Sequence, residues 1–166
     1  MTRLLARFRV GLGFLLAALV LWLSKPEWSA WVAGAVIAAW GELLRIWAAG
    51  HLEKSREVTS SGPYRFTRHP LYLGSTMIGI GVAVASASFV VAAIIGVYLG
   101  FTLSAARRSE EAHLREKFGD AYAAYVESRA EPLARRFSLA RALRNREHHA
   151  VAGLIAGFAL LAVKML

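Results

Sequence analysis

The chain has 166 residues, enough for one ordinary domain, and is 57% hydrophobic and only 19% charged, where soluble domains are roughly a quarter charged. Cysteine is absent, mean hydropathy is +0.45 and the apolar residues sit in long blocks, which excludes a disulfide scaffold, a thiolate metal site, a Cys nucleophile, a disordered chain and almost any soluble fold. The net charge of +9 would point to nucleic acid in a soluble protein, so the position of the charges decides what it means.

The first apolar segment, Val10 to Ser24, carries no charge and follows Arg3, Arg7 and Arg9. What comes next is Lys25-Pro26-Glu27-Trp28, not a small-x-small cleavage site, so the segment reads as retained rather than as a signal peptide. The second, Trp28 to Gly50, holds only Glu42 and Arg45. These lie three apart on one helix face. One reading is an ion pair near the helix end with Arg45 reaching toward the interface; the other is a polar wall of a substrate or cofactor pocket.

The loop 51–70 contains Gly62-Pro63, which is turn chemistry, and runs Arg65-Phe66-Thr67-Arg68-His69-Pro70 into the next apolar block. Proline suits the first position of a helix and pushes the residue before it toward extended geometry. His69 therefore caps a membrane helix. The free backbone N–H groups there, with Arg68, make an anion site, and Tyr72 leans back over the same spot.

The block Leu71 to Ala106 has 36 residues and no ionisable side chain except Tyr72 and Tyr98. A span needs ~20 residues at about 1.5 Å each, so two helices are expected, bent at Ala85-Ser86-Ala87-Ser88. Gly74, Gly79 and Gly81 on the first and a Gly96-x-x-x-Gly100 pattern on the second predict a tight hairpin. Gly79-Ile80-Gly81 follows no strand, so it is no dinucleotide fingerprint, and no P-loop occurs.

From Arg107 the chain turns polar. Glu111, Leu114, Phe118, Tyr122 and Tyr125 recur at spacings of three and four and form one helical face. Phe118-Gly119-Asp120 reads as a break within it. Two adjacent carboxylates, Glu110 and Glu111, sit near the end of a span, one of them on the apolar face, where a carboxylate needs a cationic partner. Arg107, Arg108 or a cationic ligand could supply it. No metal-ligand spacing and no Ser/His/Asp constellation occurs; His51 and His113 read as surface residues and His148-His149 as interfacial. Ala150 to Val163 is a fifth, shorter apolar segment.

With the N-terminus in the cytoplasm, seventeen of the 20 Lys and Arg residues fall on that side, a strong positive-inside signal. The excess charge then faces an anionic leaflet, and no nucleic-acid partner is needed. The expected fold is all-α: a multi-pass, integral membrane helical bundle of about five transmembrane helices with a cytoplasmic helical catalytic segment. Its divisions are two N-terminal helices (1–50), a core (51–132), and a basic linker with a C-terminal helix (133–166) that serves as a dimer contact or an anchor.

Gly-Pro-Tyr-x-x-x-Arg-His-Pro-x-Tyr-x-Gly at 62–74, followed across a charge-free hairpin by Arg-x-Glu-Glu-x-x-Leu-x-x-x-Phe-Gly-x-x-Tyr-x-x-Tyr at 108–125, resembles the isoprenylcysteine carboxyl methyltransferase family, which groups with the phospholipid methyltransferases. The resemblance covers residues 54–132. It implies an integral membrane enzyme using S-adenosylmethionine. It places Tyr64, His69, Pro70, Tyr72, Glu110 and Glu111 on cofactor-binding positions, with Arg56, Glu57 and Val58 lining the same pocket. On this reading Arg68 and His69 suit the cofactor's carboxylate, and Glu110 or Glu111 its cationic end or ribose hydroxyls. Arg108 is the candidate for orienting the substrate beside Glu111, with Arg107 in reserve; many members carry an arginine where Ala106 stands here. A lipophilic or lipidated acceptor would enter between spans near Glu42 and Arg45. The alternatives are an NADPH-dependent membrane reductase of the sterol reductase type, which shares a His-Pro-x-Tyr-like segment, and a non-enzymatic membrane protein.

Overall fold

The computed structural model describes residues 2–131 and 133–166, and side chains from Gly11 onward except those of Leu12 and Pro132. The side chains of Arg3, Arg7 and Arg9, on which part of the charge argument rests, lie outside the described ones. Among the described residues all regular structure is helical: α1 (Thr2–Leu23), α2 (Trp28–Ala49), α3 (Pro70–Ala85), α4 (Phe89–Val126), α5 (Leu139–Arg144) and α6 (Glu147–Val163), with a 3-10 turn at Gly62–Arg65. Two of them, α2 and α4, are long and apolar enough to cross a membrane; Gly13–Leu23 within α1, α3 and α6 are shorter apolar helices. The apolar run of α4 covers 89–106, and beyond it the helix is charged. The bend between α3 and α4 falls at residues 86–88, where the Ser88 side chain accepts from the Val91 N–H and caps α4.

Glycine spacing sets the tightest packing, between α2 and α3. Gly34 and Gly41 on α2 meet Gly81 and Gly74 on α3 in antiparallel order: a Cβ on Gly81 would lie 2.5 Å from the Gly34 carbonyl oxygen, and one on Gly41 would lie 2.7 Å from that of Gly74. Both glycine pairs are seven residues apart, so each returns to the same helix face after two turns. Backbones can then approach at two levels at once.

This corrects the expectation of a tight α3–α4 hairpin built on Gly96 and Gly100. A side chain at either of those glycines would meet nothing within 4 Å, and both line an open groove of about 410 Å³ between α3 and α4. Only Gly79, against Leu99, draws that pair together. A small-residue pattern marks a face that permits close approach; it does not say which neighbour takes it.

The C-terminal helix is built into the bundle. Trp31 donates its indole N–H to the Phe158 carbonyl at 2.9 Å, and Phe158 and Leu161 join Ala38 and Ala85 in the buried core. At its end Lys164 Nζ donates to the carbonyls of Leu21, Trp22 and Ser24 at 2.7, 2.8 and 2.6 Å. The first two are carbonyls that the last turn of α1 leaves without intrahelical partners. At its start Glu147 pairs with Arg45 of α2.

The polar segments gather at the opposite end. Residues 133–146 strap over the loop after α2: Arg141 Nε donates to Glu53 at 2.8 Å, Arg135 Nη2 to Glu57 at 2.7 Å, and Asn145 Nδ2 to the carbonyls of Ala49 and Leu52 at 2.8 and 2.9 Å. Beneath the strap His51 is buried rather than at the surface as expected. Its Nδ1 lies 3.1 Å from Ser61 Oγ, and its ring takes the space beside Gly62, whose φ of +57° favours glycine. Burial pushes the His51 pKa down, and the charges of Arg141, Arg135 and Arg65 add to this.

The two kinds of glycine should respond differently to substitution. Gly81→Leu should lower the thermal midpoint in detergent, with the cost of about 1–3 kcal/mol or more that overpacking carries. Gly100→Leu should leave it unchanged; equal losses in both would contradict the packing described.

Candidate functional site

The site forms where α3 begins and where α4 leaves its apolar run. Pro70 occupies the first turn of α3 and His69 is its N-cap, with φ −132° and ψ 57°. Proline has no N–H to lose there and disfavours helical geometry in the residue before it. The His69 side chain is thereby directed away from its own helix and toward α4. Its Nε2 lies 2.9 Å from Glu111 Oε1, and its Nδ1 lies 3.8 Å from Glu110 Oε2. An ionised carboxylate only accepts, so His69 is the donor to Glu111. Arg107 Nε stands 3.5 Å from the same Glu111 oxygen. Tyr72 stacks on the His69 ring at 5.5 Å between centroids and brings its hydroxyl beside Glu110.

The second half of α4 closes the site from below. Gly119, at φ 44° and ψ −116°, breaks the helix as expected, and the turn it makes redirects Tyr122 and Tyr125. The Tyr125 hydroxyl donates to the Tyr64 carbonyl at 2.8 Å, fastening α4 to the 3-10 turn that carries Gly62-Pro63-Tyr64. Tyr122 is 2% exposed, yet its hydroxyl has no hydrogen-bond partner among the described residues. Burial followed by the Glu111 charge pushes its pKa up. Burial likewise pushes up the Tyr64 phenol, with the Glu110 charge next in size. The hydrogen bond from His69 holds the Glu111 carboxyl below its usual range against some burial, and the charges of His69, Arg107 and Arg68 help.

The structure thus brings together His69, Pro70, Tyr72, Glu110 and Glu111, two blocks separated by about forty residues of sequence. Tyr64 adjoins through Tyr125, and the Arg68 charge reaches Glu111 and Tyr122. Other candidates are placed elsewhere. Among the described residues no hydrogen bond or ion pair joins Arg56, Glu57 or Val58 to this group. Arg56 is exposed 3.7 Å from Glu53, Glu57 belongs to the strap through Arg135, and Val58, next in sequence, is half-buried. Arg108 is exposed and makes no ion pair among the described residues, while its neighbour Arg107 contacts Glu111.

Glu42 and Arg45 do form the expected pair, at 3.7 Å. But Arg45 is held chiefly by Glu147, with Nη2 at 2.9 and 3.0 Å from its two oxygens, and by Ser75, to which Nη1 donates. Glu147 was missed in the sequence reading. The signal was present: it is the one acidic residue after Glu131, standing in a basic stretch just before an apolar segment. Among the described residues no three His, Asp or Glu side chains converge as a metal-ligating group.

Chemically, the arrangement offers two carboxylates, one half-exposed with Glu110 at 43% side-chain exposure, a nearby arginine, and a buried phenol that lacks a partner. This donor and acceptor set suits a ligand carrying both positive and negative groups with hydroxyls.

Comparison with known proteins follows the same outline. The family model described as Phospholipid methyltransferase matches residues 8–121. A curated relative, the nickel-cobalt-cadmium resistance protein NccN of Alcaligenes xylosoxydans xylosoxydans, is 28% identical over an alignment covering 69% of this chain and 59% of the relative. The chain therefore spans well under two thirds of that relative's length. No solved structure matches the chain.

The Glu111 interaction sets a pH dependence. A carboxyl whose folded pKa is depressed contributes stability above its unfolded value, 4.5, and that contribution is lost as the pH falls through the lower folded value. Thermal midpoints of the wild type should therefore fall on acidification below about pH 4.5 more steeply than those of His69→Ala, in which the hydrogen bond is absent. Parallel curves would mean that His69 does not hold Glu111.

Proposed function

Because the chain belongs to the phospholipid methyltransferase family, we propose that this membrane methyltransferase takes S-adenosylmethionine as methyl donor and a lipid or isoprenoid-linked acceptor. The reading rests most on one observation. The Arg-His-Pro-x-Tyr helix start and the Glu-Glu pair, distant in sequence, meet through the 2.9 Å contact of His69 with Glu111.

The residues fit such a donor. Its carboxylate, ammonium, sulfonium and ribose hydroxyls call for a cation, an anion and neutral hydrogen-bonding groups within one small space. Arg68 would take the carboxylate. Glu110, half-exposed and only loosely engaged by His69, has lone pairs free for the ammonium or the hydroxyls. The unpartnered Tyr122 hydroxyl offers one more polar contact. Glu111, already held by His69 and Arg107, adds negative charge that favours a bound cation. When bound, the donor supplies a methyl group activated by its sulfonium.

The protein's part in such a transfer is to align and to exclude water. Tyr64, Pro63 and Pro70 are buried at the base of the site and form a dry floor. His69 and Tyr72, stacked, form a rigid wall. The acceptor would approach from the apolar side, where the groove between α3 and α4 runs from Ala92 up to Ser104, one turn short of Arg108. Arg107 or Arg108 would orient an acidic acceptor, and Glu110 would accept a proton from an amine. The basic strap and loop lie at the site's end of the bundle, which supports a multi-pass arrangement with this end in the cytoplasm.

A purified sample in detergent tests the reading. S-adenosylhomocysteine should raise the thermal midpoint saturably, by the equivalent of about 2.7 kcal/mol at a hundredfold excess over Kd, and NADPH should not. His69→Ala and Glu111→Gln should abolish the shift. Saturable stabilisation by NADPH alone would decide for a reductase, and no stabilisation by either would leave the non-enzymatic reading.

A further inference from the structure

Arg45 has two carboxylates to choose between. Glu42 stands three residues away on its own helix; Glu147 comes from α6. Arg45 Nη2 reaches both oxygens of Glu147, at 2.9 and 3.0 Å, while Glu42, 6% exposed, keeps both oxygens without a hydrogen-bond partner among the described residues. The geometry of Arg45 is therefore set by the long-range partner. With Glu42 alone, Arg45 would stay on α2. Glu147 draws it across α3, where its stem fills the space that Gly74 leaves by lacking a side chain.

The chain of contacts continues toward the site. Arg45 Nη1 donates to Ser75 Oγ, and Ser75 Oγ donates to the Leu71 carbonyl at 2.9 Å. Leu71 follows Pro70 in the first turn of α3, and the His69 carbonyl accepts from the N–H groups of Tyr72 and Leu73 at 3.1 Å each. Three consecutive contacts thus run from Glu147 to Leu71, two residues from His69 in the helix start. Glu147 lies beyond residue 121, where the family match ends, so no role is assigned to it by that match.

We propose that Glu147 is a positioning residue for the methyl-donor site: by holding Arg45 on Ser75 it fixes the first turns of α3, and with them His69 and Tyr72. The proposal rests on the reading of the site given above. The unpartnered oxygens of Glu42 make it specific. When Glu147 loses its charge, Arg45 falls back on Glu42, so the partly buried cation stays compensated and the fold persists while the α3 anchor is released. A purely structural role for Glu147 would instead equal that of Lys164, which fastens the other end of α6.

The test compares Glu147→Gln, Ser75→Ala, their double variant and Lys164→Met, all in the full-length chain. Hydrogen–deuterium exchange over residues 70–75 is read without ligand, and the Kd of S-adenosylhomocysteine by titration. Glu147→Gln and Ser75→Ala should each speed exchange in that segment and weaken binding about tenfold. The double variant should be no worse than the singles, because both act through one path. Lys164→Met should lower the thermal midpoint without either effect, and Glu147→Asp should recover part of the loss. Additive effects, unchanged exchange in Glu147→Gln, or the same changes in Lys164→Met would overturn the proposal. Absence of S-adenosylhomocysteine binding in the wild type would overturn the proposed function instead, and the exchange measurement would still decide the link from Glu147 to α3.

Discussion

The hydrogen bond between His69 and Glu111 joins the start of one apolar helix to the polar continuation of the next. Of the glycines on α3 and α4, only Gly79 closely meets the other of these two helices. What holds their polar ends in register is this contact, with Arg107 on the same carboxylate. An acid and an imidazole placed at the edge of an apolar bundle satisfy each other where water is scarce, and a group unpaired there is costly. The site exists because of that pairing: Tyr72 stacks on the imidazole, Glu110 is carried beside it, and Arg68 is brought within reach.

The rest of the fold serves to keep α3 from moving. Paired glycines seat it on α2 at two levels, and a partly buried arginine crosses to its first turns. The two ends of α6 are tied differently, by a carboxylate on that arginine and by an ammonium on the free carbonyls of α1. A helix pinned by backbone proximity on one side can carry an open face on the other. The groove between α3 and α4 lies on that open face, where we propose that an apolar acceptor approaches.

A division of labour follows within the polar segments. The loop after α2 and the strap 133–146 interlock through Glu53, Glu57, Arg135 and Arg141. Arg56, Glu57 and Val58 are engaged in or beside that interlock, although the resemblance assigns them to the pocket. The site itself is held by fewer groups and keeps spare capacity: a half-exposed carboxylate, and a phenol with no partner. Spare hydrogen-bonding capacity at a dry edge is what distinguishes a place for a ligand from a satisfied structural network.

Much was legible in the residues alone. Hydropathy blocks located the helices, because an apolar run of known rise per residue has few other uses. Local backbone chemistry located the details: Pro70 made His69 a cap, Ser88 ended the bend, and Gly119 broke α4, each through steric rules that involve only neighbouring residues. The motif pair pointed to the family, and with it to His69 and Glu111. Tertiary structure alone decided which glycines touch, which carboxylate holds Arg45, and that His51 lies buried under the strap. These depend on which faces and distant segments are offered to one another. A small residue, an arginine or a histidine states what it can accept, while only the packed chain supplies the partner.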